Sequence, residues 1–145
     1  MNNQEAVKHL KSLAQYEIDH SFLMQQAVHN LKDSETTQKL GAYRDSIENN
    51  IKQLGAAIEK LGGEAPEHAK DFKGFFMVGY AALRGLTSDH GVLQSLDSNE
   101  KIIMDAYEKV LRLELPEEAH KVIQEAYDKN KDILQTVHAQ AEKLY

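Results

Sequence analysis

Cysteine and tryptophan are both missing from this chain, and proline occurs only twice. Without a thiol there is neither a disulfide framework nor a thiolate to serve as nucleophile or soft metal ligand, which suits a reducing compartment. Long apolar runs are missing too. The longest, Phe75 to Leu83, is interrupted by Gly79 and stopped by Arg84, far short of the roughly 20 residues of a membrane-spanning helix. The opening stretch, MNNQEAVKHLKSL, is polar and contains no apolar signal segment, so a cytoplasmic protein without a membrane partner is expected. Basic residues are in deficit, 17 Lys and Arg against 23 Asp and Glu, and the formal net charge is −6. Clustered Lys and Arg of the kind that grip a phosphate backbone are absent, which argues against a nucleic-acid partner. No Ser elbow, Walker loop or cysteine nucleophile is present, and strand-like alternation is scarce.

What the chain does contain is helical periodicity. At 145 residues it is the size of one ordinary domain, enough to bury roughly 68 to 70% of the surface its unfolded form exposes. The spacing predicts a first helix from about Asn3 to Leu31, with Ala6, Leu10, Leu13, Met24 and Ala27 three and four apart. A second begins after Asp33-Ser34, a plausible cap with Glu35 in the first turn, carries Leu40, Tyr43, Ile47, Ile51, Leu54, Ile58 and Leu61 inward, and stops at Gly62-Gly63. A third runs from about Ser88 to Leu113 on a stripe of Leu93, Leu96, Ile103, Tyr107 and Val110. The fourth follows the break at Leu115-Pro116 with Ala119, Ile123, Ala126, Ile133, Val137 and Leu144 inside. Between the second and third lies a long connection, Gly63 to Thr87, whose apolar second half predicts a helix near Phe72 to Leu83. Two helical hairpins joined by one such connection describe an all-α, ferritin-like four-helix bundle with a long, partly helical crossover between helices 2 and 3. No composition shift, repeat or low-complexity segment divides it, so residues 1 to 145 read as a single domain. Charges are interspersed at helical spacing, the pattern of a solvated face.

Each helix breaks its apolar stripe with polar residues. In YEIDH, residues 16 to 20, Glu17 and His20 share the stripe of Leu10, Leu13, Met24 and Ala27 at 100° per residue. Asn50 lies beside Ile47 and Leu54, Glu100 among Leu93, Leu96, Ile103 and Tyr107, and Asn130 among Ala126, Ile133 and Val137. All of them fall near the middle of their own helices, so side-by-side packing predicts one mid-bundle polar layer of Glu17, His20, Asn50, Glu100 and Asn130. Buried carboxylates are costly unless paired, hydrogen-bonded or bound to a cation.

Such a layer can hold metal. Di-metal carboxylate bundles use one Glu from each of two helices and a Glu-x-x-His pair from each of the others. Glu17 and Glu100 suit the single carboxylates, but the inward pairs are Ile47-x-x-Asn50 and Asn130-x-x-Ile133, and isoleucine cannot ligate. Glu17 and His20 at i, i+3, with Glu100 across the core, form a candidate three-ligand metal set for one iron or manganese ion. The other reading is a hydrogen-bonded cluster in which His20 donates to a carboxylate and the two Asn amides satisfy the rest. Tyr16 and Tyr107 flank the layer as hydroxyl donors to Glu17 or Glu100. Glu117-x-x-His120 has metal spacing but falls in a first helical turn, off the core stripe, where an acid near a helix N-terminus needs no further reason. His9, His29, His68, His90 and His138 are scattered and mostly expected in solvent. Gly74, Gly79 and Gly85 match no phosphate loop.

The stretches LAQYEID at 13 to 19, LGAAIEKLGG at 54 to 63, DFKGFFMVGYAALRG at 71 to 85 and SNEKIIMDAYEKVL at 98 to 111 resemble a family of uncharacterised bacterial ferritin-like four-helix-bundle proteins, distantly similar to rubrerythrins. The resemblance spans nearly the whole chain and implies the bundle fold. It implies that members with intact sites carry a carboxylate at position 17, Glu at 100, and Glu-x-x-His at 47 to 50 and 130 to 133. Only Glu17 and Glu100 match here, which counts against dinuclear iron chemistry of the ferroxidase or peroxidase kind. The combined expectation is a non-catalytic or vestigial bundle protein with a degenerate polar site and no cofactor, forming a homodimer. The alternative is a mononuclear or asymmetric iron or manganese protein acting on dioxygen or peroxide. A third class, a helix-surface interaction module, needs an exposed apolar patch, which sequence does not reveal.

Overall fold

In a computed structural model that describes residues 1–66 and 88–144, the chain forms four long helices: α1 (Asn3–Asn30), α2 (Ser34–Lys60), α3 (Asp89–Leu111) and α4 (Glu117–Lys143). No strand occurs among the described residues. The helix expected near Phe72 to Leu83, the glycines 74, 79 and 85 and His68 lie outside the described residues.

The helix starts follow from local chemistry. The side chain of Asn2 accepts from the Glu5 amide at 2.9 Å, and Ser88 Oγ accepts from the Gly91 amide at 3.1 Å. Asp33 accepts from both the amide and the hydroxyl of Thr36, at 2.9 and 2.7 Å, so two donors of the first turn are satisfied by one carboxylate. Pro116 precedes α4 without a side-chain cap, and Glu117 and Glu118 face the positive end of the helix dipole. α2 ends on Gly62 at φ +87, a left-handed residue, and the Gly63 amide closes back onto the Ile58 carbonyl at 2.9 Å. A Cβ at Gly63 would stand 2.7 Å from Val7 Cγ1 and 2.9 Å from Ile58 Cγ2, so the end of α2 sits tightly against α1.

The helix order in space follows from a few long-range bonds. The Asp89 carboxylate accepts from the amides of Lys32 at 2.9 Å and Asp33 at 2.7 Å, which places the start of α3 at the α1–α2 turn. At that same end Lys143, closing α4, donates to Glu35 at 2.7 Å. α1 and α4 therefore run toward this end and α2 and α3 away from it. α1 packs mainly on α2 and also on α3, while α4 packs mainly on α3 and also on α2. All four helices share one apolar core, in which Met24, Ile47, Ile103 and Ile133 are fully buried. No helix among the described residues is long and apolar enough to cross a membrane.

Core packing of this kind is sensitive to lost volume. Leu54→Ala, at a position with 0% exposure, is expected to lower unfolding free energy by about 2 to 5 kcal/mol, measured by urea denaturation followed by helical circular dichroism.

Candidate functional site

α1 carries an unusual polar load for a core helix. From Leu13 to Met24 every residue except Tyr16 and Phe22 is buried, so α1 is enclosed nearly all round. Of YEIDH, Asp19 and Ile18 are as buried as Glu17 and His20, where the stripe pattern brings only Glu17 and His20 inward. Gln15 Nε2 donates to Asp19 Oδ1 at 3.1 Å, and Ser21 Oγ donates to Glu48 Oε1 at 2.7 Å. Neither pair is visible in a single-stripe reading; the polar density of QYEIDHS inside a long apolar helix is the one available signal.

The expected mid-bundle residues do meet. Glu17, His20, Glu100 and Asn130 are at 0% exposure and Asn50 at 2%. Glu17 is the centre. Its Oε1 accepts from His20 Nδ1–H at 3.0 Å, and its Oε2 accepts from Asn50 Nδ2 at 2.7 Å, Tyr107 Oη at 3.0 Å and Asn130 Nδ2 at 3.0 Å. These donors come from α1, α2, α3 and α4 in turn. His20 spans the core, with Nε2 in close contact with Glu100 Oε1. Asn130 Nδ2 also donates to the Ala126 carbonyl at 3.0 Å, which fixes its amide. Of the two flanking tyrosines, Tyr107 supplies a hydroxyl to Glu17, whereas Tyr16 is half-buried beside the α1–α3 groove.

Both neighbours of the His20 ring are carboxylates, so both ring nitrogens carry protons and the ring is an imidazolium. Burial alone would lower the His20 pKa; the charge and hydrogen bond of Glu100, then those of Glu17, outweigh it and push it up to about 10. Burial raises the Glu100 pKa, only partly offset by His20, with Glu17 and Asp97 adding to the rise. Burial, then Glu17, likewise raises the Tyr107 hydroxyl and keeps it a donor. Two buried acceptors of the layer, Glu100 Oε2 and Asn130 Oδ1, have no hydrogen-bond partner among the described residues.

Ile47 and Ile133, at the positions where a Glu-x-x-His pair would need a ligand, lie in the core at 0% exposure and offer no donor atom. The donor set therefore does not fit a dinuclear centre. Among the described residues no group of three or more His, Asp or Glu side chains is arranged to hold a metal ion; the two nitrogens of His20 address different carboxylates instead of one shared point. Glu117 and His120 are exposed and remote from the layer. His29 and His138 are exposed; His9 and His90 are half-buried, with His90 Nδ1 donating to the Ala141 carbonyl at 3.0 Å.

Residues 5–113 match a domain of unknown function, DUF2383, and the chain belongs to that family. The match includes α1, α2 and α3, and with them Glu17, His20, Asn50, Glu100 and Tyr107; Asn130 lies beyond it. None of the curated proteins matches the chain.

Two outcomes follow from this geometry. Glu17→Ala removes the shared acceptor and is expected to cost on the order of 3 to 5 kcal/mol, against about 1 kcal/mol for Tyr107→Phe, which removes one donor; denaturant melts of both variants check the ratio. The pH dependence has a definite sign. The folded pKa of His20, about 10, exceeds its unfolded value near 6.5, so its contribution is complete below that unfolded value and is lost as pH rises through the folded one. Glu100, also raised on folding, acts in the same sense. Stability is expected to fall from neutral toward strongly alkaline pH, and His20→Gln is expected to flatten that fall.

Proposed function

We propose that this family member is a non-catalytic, ferritin-like bundle protein, a single domain over residues 1 to 145, whose mid-bundle layer is a degenerate metal site turned into a permanent hydrogen-bond network. The observation that supports this reading is the saturation of Glu17: four donors, one from each helix, occupy its two oxygens. A carboxylate so engaged is not available to bind a substrate or to shift between ligation modes. Ile47 and Ile133 add that two positions needed for a dinuclear centre have no donor atom. The role left to the layer is to set helix register, because any slip along α1 strands buried donors from the other three helices.

A specific observation favours a second reading, a single iron or manganese ion acting on dioxygen or peroxide. Glu100 Oε2 and Asn130 Oδ1 are buried acceptors without partners among the described residues, and a cation beside them would satisfy both. Glu17, His20, Glu100 and Asn130 are the residues that would hold it, supplying a Lewis acid or a one-electron centre when bound. His20 would first have to give up the proton it shares with Glu100. A proton on Glu100 Oε2, in line with its raised pKa, disturbs no existing bond, which favours the first reading.

Elemental analysis separates the two. Protein purified without chelators is expected to contain well under one equivalent of iron, manganese or zinc, and its thermal midpoint to be unchanged by chelator. One equivalent of metal, with a midpoint that drops on chelation, would establish the second reading.

Degeneracy itself is tested by repair. The combined changes Ile47→Glu, Asn50→His, Asn130→Glu and Ile133→His create two Glu-x-x-His pairs facing Glu17 and Glu100. Without metal the variant is expected to be destabilised, since each isoleucine contributes roughly 1.5 to 3 kcal/mol by burial. Ferrous iron or manganese is expected to recover stability in the variant and not in the wild type, as ligand that binds only the folded state shifts the equilibrium toward it. A folded variant that takes up no metal in titration would show that these positions do not converge.

A further inference from the structure

The described surface shows few large apolar side chains, and two of them share one helix face. Ile102 is 49% exposed and Leu113, one residue past the cap of α3, is 38% exposed. Both line the same groove beside α3. Between them on that face lie Asp105, Ala106 and Lys109, and the adjoining groove is completed from α1 by Tyr16. An isolated exposed leucine needs no explanation; two large apolar side chains on one face, with the small Ala106 and one acid–base pair between them, form a surface that association would cover.

The charges on this face suit a second copy of the chain. Asp105 and Lys109 pair within the helix at 3.0 Å, with their side chains 63% and 70% exposed. They lie on the same flank of that face, one acidic and one basic, four residues apart. Such a flank is self-complementary under a two-fold axis. When a second α3 runs antiparallel across the first, with the axis at the height of Tyr107 and Glu108, Asp105 falls beside the partner's Lys109 and Lys109 beside the partner's Asp105. In the same register Ile102 faces the partner's Leu113, twice over, and Ala106 near the centre lets the helices approach closely. A partner of uniform charge would gain from one member of each pair and lose from the other. An isologous contact, in which the same patch serves both sides, satisfies every one of these features at once.

We propose that this face of α3, bordered by α1, is the interface of a homodimer built from two antiparallel α3 helices. It is independent of the mid-bundle layer, so loss of either reading leaves the other standing. The face is exposed in the monomer, and substitutions there leave the core intact.

Sedimentation equilibrium over micromolar to submillimolar concentrations tests it. The wild type is expected to dimerise, and Ile102→Glu to weaken the dimer roughly tenfold or more while helical circular dichroism and thermal midpoint at low concentration stay unchanged. Asp105→Lys and Lys109→Asp are each expected to weaken self-association, because each places like charges opposite one another. Mixed in equal amounts, these two variants are expected to form a heterodimer, since every 105–109 contact is then between opposite charges. A wild type that stays monomeric throughout, a dimer indifferent to Ile102→Glu, or a mixture that associates no better than its components would overturn the proposal.

Discussion

A single carboxylate, that of Glu17, ties the four helices together. It is fully buried, and a buried charge must be compensated or it unfolds its surroundings. The chain compensates it with one donor from each helix: His20, Asn50, Tyr107 and Asn130. Apolar packing tolerates some sliding of one helix along another, because a leucine meets much the same environment one turn away. This layer does not. Moving any helix by a turn leaves a buried amide, hydroxyl or imidazolium without its acceptor, so the polar network specifies the register that the apolar stripes only permit.

The same network explains why α1 is the helix least like the others. Its middle is enclosed on nearly every side and includes Gln15, Asp19 and Ser21 as well as the Glu17–His20 pair. Polar groups in such a place persist only with partners, and the Gln15–Asp19 and Ser21–Glu48 bonds supply them. On the far side of His20, Glu100 is the less satisfied carboxylate. One of its oxygens meets His20 and the other meets nothing described. The two acids are thus unlike, one saturated and one half-used, and burial, only partly offset by His20, raises the Glu100 pKa.

Much of this is legible in the amino-acid sequence. Helix limits follow from caps and stops: Asp33 before α2, Gly62 after it and Pro116 before α4 all act through backbone donors or φ angles that a residue type determines locally; Ser88, in sequence the first residue of its helix, is in the structure its cap. The layer was legible because Glu17, His20, Asn50, Glu100 and Asn130 each interrupt an apolar period at mid-helix, and matching heights then bring them together. Asp19, Gln15 and Ser21 were missed because a stripe has one face, and nothing in periodicity says that a helix is covered on its other side. That Glu17 and not Glu100 is the hub was equally hidden, since it depends on rotamers reaching across the core. Ile102 and Leu113 look in sequence like ordinary members of an apolar helix; only the packing shows them turned outward.

The central claim is that Glu17 is the acceptor shared by all four helices and that His20 is an imidazolium at neutral pH, held between Glu17 and Glu100. Long-range proton–nitrogen NMR of the His20 side chain reads this directly. The account predicts that both ring nitrogens are protonated at neutral pH and stay so until the solution approaches the raised pKa of about 10, with no change on adding ferrous iron or chelator. A ring nitrogen without its proton at neutral pH, or His20 resonances that shift or broaden in step with added iron up to one equivalent, would contradict it.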